Sequence, residues 1–177
     1  RIKPDYADAH YNLGVAYGQL DRWQYAVESY KQAIRIKPDY ADAHYMLGVI
    51  YGTLGRYQDA IESFKQAIRI KPDYAEAHYN LGVTCGSLGR HQDAVEAYKQ
   101  AIRIKPDYAE AHYNLGVAYG SLGRYQDAIE SFKQAIRIRP NCVEAHCNLG
   151  RAYFLTGDKG SALEEYKILK TLDAELA

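Results

Sequence analysis

The chain has 177 residues, and 22 Lys and Arg balance 22 Asp and Glu, so its charge gives no reason to expect a nucleic-acid or acidic-membrane partner. No apolar run approaches the roughly 18 residues that a membrane-spanning helix needs. Three cysteines, Cys85, Cys142 and Cys147, are too few and odd in number for a disulfide framework, which favours a reducing, cytoplasmic setting.

Taken in order, the chain opens on Arg1 to Tyr6, RIKPDY, which matches Arg35 to Tyr40. Residues 1–6 therefore read as the end of a preceding unit, and the sequence is expected to begin inside a longer array, with any targeting signal upstream. ADAHYNLG follows at 7–14, then ADAHYMLG at 41–48, AEAHYNLG at 75–82 and at 109–116, and VEAHCNLG at 143–150. Each copy starts 34 residues after the last, and 41–74 differs from 109–142 at only seven positions. Strict self-similarity at that period means one supersecondary unit stacked on itself. The expected organisation is one continuous array with units 7–40, 41–74, 75–108, 109–142 and 143–177.

The fourth unit serves as the specimen. Asp107 after Pro106, with Glu110 three residues on, predicts a helix start with a capping box; Asp5/Asp8, Asp39/Asp42, Asp73/Glu76 and Asn141/Glu144 repeat the pair. A first helix then runs to about Leu122 and Gly123 breaks it, as do Gly55, Gly89 and Gly157, with Asp21 in the first unit's place. A second helix follows on the stripe Ala128, Ile129, Phe132, Ala135 and Ile136, which has helical spacing, and Pro140 stops it. The second helix carries the charges Arg124, Asp127, Glu130, Lys133, Arg137 and Arg139, so its outer side belongs in water. The first is apolar almost all round, and the expected core residues on it are Leu115, Ala118, Tyr119 and Leu122. Gly116 and Ala128 are expected where the two helices touch. Gly120 falls on the other face, with Tyr113 and Val117.

Leu115-Gly116, Tyr119, Ala128, Phe132 and Pro140 fall at L-G-x2-Y, A-x3-F and P, and this spacing resembles the tetratricopeptide repeat. The resemblance spans the chain and implies an all-α fold, a right-handed superhelical solenoid of helix-turn-helix repeats whose concave groove binds protein segments. His10, His44, His78, His112 and His146 stand where the family often has tryptophan. Cys85 replaces a tyrosine, and Ala174 stands in the last proline's place. The family also implies a polar capping helix after the last repeat; the sequence ends at Ala177 without one, so the far end is expected to continue as well.

Residues three, four and seven apart on the first helix share a face, and stacking turns that face into ladders. Tyr11, Tyr45, Tyr79 and Tyr113 form one; Asn12, Asn80, Asn114 and Asn148 form a second, interrupted by Met46; Val15, Val49, Val83 and Val117 line the same face. Asp8, Asp42, Glu76, Glu110 and Glu144 form an acid ladder, explained by capping or by attraction of a basic segment. In the fifth unit Arg151, Phe154 and Leu155 alter the surface, either closing one end of a groove or adapting a terminal unit. Helices packed about 8–10 Å apart match an extended ligand rising about 3.3 Å per residue, one rung per three residues. Asparagine both donates and accepts, so it can pair with any peptide unit, and the ladder is similar to that lining the superhelix of O-linked N-acetylglucosamine transferases.

The recurring histidines are too far apart, rung to rung, to share a zinc ion at about 2.0–2.1 Å and are read as packing residues. No metal, cofactor or catalytic group is expected. Arg69, Lys71, Arg103, Lys105, Arg137 and Arg139 ride the outer helices among acids and are read as a solvated surface, so no nucleic-acid partner is expected. The function expected is a noncatalytic module binding a protein or peptide. Two alternatives stand beside it: a scaffold that self-associates through repeat ends, and the recognition arm of a larger transferase.

Overall fold

The computed structural model describes the backbone of residues 5–176 and the side chains of 6–172. The expectations attached to residues 1–4, to the Asp5 side chain and to Ala174 and Ala177 fall outside the described residues. Among the described residues there are ten helices and no strand: α1 (Asp5–Gln19), α2 (Trp23–Ile36), α3 (Ala41–Thr53), α4 (Tyr57–Ile70), α5 (Ala75–Ser87), α6 (His91–Ile104), α7 (Ala109–Ser121), α8 (Tyr125–Ile138), α9 (Val143–Leu155) and α10 (Lys159–Leu176). They fall into two compact units, Arg1–Leu88 and Gly89–Ala177. In the first, α1 pairs with α2 and α3 with α4, and α5 lies against both α3 and α4. In the second, α6 packs on α7, α7 pairs with α8, and α9 pairs with α10 while touching α7 and α8. The fold is an all-α helical repeat of the solenoid class, as the periodicity predicts. No described helix is long and apolar enough to cross a membrane.

The trailing helix of each pair (α2, α4, α8) buries one stripe. On α8 this is Ala128, Ile129, Phe132 and Ala135, at most 3% exposed, while Glu130, Lys133 and Arg137 on the other sides stay in water. The leading helix is flanked on three sides, as α7 is by α6, α8 and α9. That geometry is why its sequence is apolar nearly all round, and it buries Leu115, Ala118 and Tyr119. Leu122 departs from expectation: it is the C-cap of α7, past the last helical residue where the chain enters the turn, and is 38% exposed.

Gly116 sits against the trailing helix, as expected: a Cβ there would lie 2.6 Å from Cε1 of Phe132, and one on Gly48 would lie 2.7 Å from Cε1 of Phe64. In the turn, Gly123 has φ +72°, with Gly123 N–H donating to the Gly120 carbonyl and Arg124 N–H to that of Tyr119. This pair of bonds closes the helix end in a left-handed cap. Asp21 adopts φ +55° in the glycine's place, a region aspartate tolerates better than most residues.

The capping box is not formed. The N-caps of α3, α5, α7 and α9 are Tyr40, Tyr74, Tyr108 and Cys142, none with a side-chain cap hydrogen bond. Asp39, Asp73 and Asp107 lie one residue too early, inside the turn. That turn is closed by the backbone, with Tyr74 N–H to the Lys71 carbonyl and Tyr108 N–H to that of Lys105, each 3.2 Å. Histidine adds a second fastening: Nε2 of His44, His78 and His112 donates to the carbonyl of Pro38, Pro72 and Pro106 at 3.0–3.1 Å. The packing role expected of these histidines thus has a definite form.

Candidate peptide-binding face

The ladder residues of the leading helices are half-buried or exposed. In the first unit Tyr11, Val15, Tyr45, Met46, Val49, Tyr79 and Asn80 are half-buried, Asp8, Asn12, Asp42 and Glu76 are exposed, and Val83 is 37% exposed. In the second unit Glu110, Tyr113, Asn114 and Asn148 are half-buried, Val117 is 40% exposed, Arg151 and Glu144 are exposed, and Phe154 is 63% exposed. A Cβ added at Gly52, Gly86 or Gly120 would meet nothing within 4 Å, so these glycines leave open space beside the valines. Next to Gly120, Phe132, Asn148, Arg151 and Leu155 bound a small cavity of about 60 Å³.

The tyrosines and asparagines are tied to one another. Asn80 Nδ2 donates to the Tyr45 hydroxyl at 2.9 Å, and Asn148 Nδ2 to that of Tyr113 at 3.0 Å. Each bond joins one leading helix to the next within its unit. Met46, in the equivalent place after Tyr11, carries no such donor. Burial raises the pKa of Tyr45, assisted by the Glu76 charge, and that of Tyr113, assisted by Glu144.

A second tyrosine, outside the ladders, completes the arrangement in the first unit. Tyr40 stacks on Tyr11 with ring centres 5.2 Å apart, and Tyr74 lies against Tyr45 at 4.9 Å. Their hydroxyls donate to the carboxylates of Asp8 and Asp42; burial first, and these acids second, push both phenols well above the usual tyrosine range. Lys37 and Lys71 sit over the outer faces, 4.6 and 4.4 Å from the ring centres, within cation–π range. The signal was present in the sequence, since Tyr40, Tyr74 and Tyr108 close three successive repeats and Cys142 breaks the series. Where Cys142 supplies no ring, Arg139 reaches across to Glu110, whose pKa is lowered by its own backbone N–H first and by Arg139 second.

His146 is the one ladder histidine that is fully buried, at 5% exposure. Its Nε2 meets the Pro140 carbonyl at 2.8 Å and its Nδ1 meets Glu165 Oε2 on α10 at 2.6 Å. Among the described residues, no group of three or more His, Cys, Asp or Glu side chains is placed to hold a metal ion.

A family profile described as TPR repeat matches residues 19–55, 53–88 and 85–123, and profiles described as tetratricopeptide repeat match 109–142 and 143–175. Among solved structures, a MamA protein is 28% identical with a TM-score of 0.92, covering 98% of this chain and 94% of that one. MamA from Desulfovibrio magneticus RS-1 is 22% identical with a TM-score of 0.90, covering 97% of each chain. YrrB, a TPR protein with an unusual peptide-binding site, is 21% identical with a TM-score of 0.83, covering 92% of this chain and 84% of its own. The last two likenesses concern the fold alone. No curated protein matches the sequence.

Proposed function

Because this chain belongs to the tetratricopeptide repeat family, we propose that it is a noncatalytic protein-interaction module whose leading helices bind an extended segment of a partner protein. In the first unit the binding face comprises Tyr11, Asn12, Val15, Tyr45, Met46, Val49, Tyr79, Asn80 and Val83. In the second it comprises Tyr113, Asn114, Val117, Asn148, Arg151 and Phe154. The observation that carries this reading is the state of Asn80 and Asn148. Each is half-buried and gives one N–H to a tyrosine hydroxyl, which orients the amide. An asparagine has two N–H groups and a carbonyl, so hydrogen-bonding capacity remains for a ligand's peptide units, and an amide already held in place loses less entropy on binding. Asp8, Asp42, Glu76, Glu110 and Glu144 border the same faces and favour a basic segment over an acidic one or a nucleic acid.

Peptides selected from a random library on the whole chain provide the test. Asn80→Ala with Asn148→Ala is expected to weaken their binding about tenfold, the loss of two hydrogen bonds each contributing about 0.5–1.5 kcal/mol. Tyr45→Phe with Tyr113→Phe removes only the bonds that orient the amides and is expected to weaken binding by a smaller factor, about two- to fourfold. Unaltered affinity in the asparagine variant, with helicity retained, removes the ladder from the mechanism.

A further inference from the structure

Cys142 stands in the register of Tyr40 and Tyr74, and the volume those rings fill is left open in the second unit. A cavity of about 280 Å³ lies there, lined by Ala109, Glu110, Tyr113, Ala135, Arg139, Cys142 and Glu144. A cavity of about 150 Å³ is enough to admit benzene, so a phenol fits. We infer that this cavity is a binding site for a tyrosine side chain presented by the partner segment, which would take the place the chain's own tyrosine holds in the first two repeats. This rests on the peptide-binding reading above and names the residue that would anchor the peptide.

Three groups are already in position for such a ring. Tyr113 corresponds to Tyr11 and Tyr45, on which Tyr40 and Tyr74 pack at 5.2 and 4.9 Å; offset or tilted aromatic pairs at this range are favourable beyond their burial. Glu110 corresponds to Asp8 and Asp42, the carboxylates that accept the hydroxyl hydrogen bonds of Tyr40 and Tyr74. Arg139 corresponds to Lys37 and Lys71, which cover the outer faces of those rings. With no ring to cover, Arg139 pairs with Glu110 on the surface, both side chains being about half exposed. An exposed ion pair contributes little, so an incoming ring displaces it at small cost and gains a floor, an acceptor and a cation over its face. The hydroxyl contact distinguishes tyrosine from phenylalanine. Cys142 adds only its small size, its Sγ lying 3.5 Å from Glu144 Oε2.

The test uses the whole chain under reducing conditions, with N-acetyl-tyrosinamide and N-acetyl-phenylalaninamide as probes followed by amide NMR shifts. The expected result is saturable shifts at Ala109, Tyr113 and Ala135, with the tyrosine probe several-fold tighter than the phenylalanine one. Cys142→Tyr, which refills the cavity, is expected to weaken the tyrosine probe at least tenfold, whereas Cys142→Ser keeps it. Glu110→Ala is expected to abolish the tyrosine preference, and this arm decides the matter should the Cys142→Tyr chain not fold. Absence of shifts at these amides, or equal binding by Cys142→Tyr, overturns the site. Library peptides separate this from the broader reading: if they lose affinity on the asparagine variants yet bind Cys142→Tyr unchanged, the anchor site fails and the peptide-binding face stands.

Discussion

Gly48→Ala is expected to destabilise the first unit by about 1–2 kcal/mol, and the same substitution is expected to become stabilising once Phe64 is replaced by alanine. Two opposed effects set the sign. An alanine inside a helix is better than a glycine by about 1 kcal/mol, while forcing an added carbon into a packed core costs about 1–3 kcal/mol. Here the added Cβ would lie 2.7 and 2.8 Å from Cε1 and Cδ1 of Phe64. That ring is 2% exposed and has nowhere to retreat, so overpacking wins. Phe64→Ala alone is expected to cost about 3–5 kcal/mol, as truncation of a buried phenylalanine does. With the ring gone, the methyl group introduced by Gly48→Ala meets no clash, fills part of the cavity and keeps its helix advantage. Guanidinium unfolding of the four chains, with amide exchange in α3 and α4 to localise the change, measures the coupling. Additive effects of the two substitutions would show that the glycine is not there to receive the ring.

Glu165→Ala is expected to cost about 1–3 kcal/mol in the last helical pair, the range for leaving a buried hydrogen-bonding group without its partner. The reason lies in the proton inventory around His146. The Pro140 carbonyl can only accept, so Nε2 carries a hydrogen; the 2.6 Å contact of Nδ1 with the Glu165 carboxylate needs a second proton between them. Both ring nitrogens are therefore engaged, in a site whose side chains are only 6% and 14% exposed. His44, His78 and His112 have only the proline carbonyl and are half-buried. Replacing both partners by apolar residues, His146→Phe with Glu165→Leu, is expected to come within about 1 kcal/mol of the parent chain, since no group is then left unpaired. Amide exchange in α9 and α10 reads both variants; equal losses in the single and double replacements would show that the pair does not act as a unit.

Much of the architecture is written in local features. The 34-residue register, Gly123 and its counterparts after the leading helices, and Pro38, Pro72, Pro106 and Pro140 after α2, α4, α6 and α8 place the ends of those helices to within a residue or two. The apolar stripe of α8 and the all-round apolar character of α7 assign each helix its neighbours. Helical spacing alone also places tyrosine, asparagine and valine on one face. These features are legible because each depends on residues within a turn or two of one another.

Tertiary structure decided how that face is occupied. The Asn80–Tyr45 and Asn148–Tyr113 bonds join residues 35 apart, and Tyr40 reaches Tyr11 and Asp8 from the far end of its own repeat. Such contacts depend on how two helices cross and where the turn between repeats sets the next one, and no periodicity along a single helix encodes that. The same turn places the aspartates one residue short of the N-cap, so tyrosine and histidine hold the junction instead. In the sequence Cys142 is only one of three scattered cysteines; the packing of Tyr40 and Tyr74 in the equivalent places turns its small side chain into a ring-sized opening.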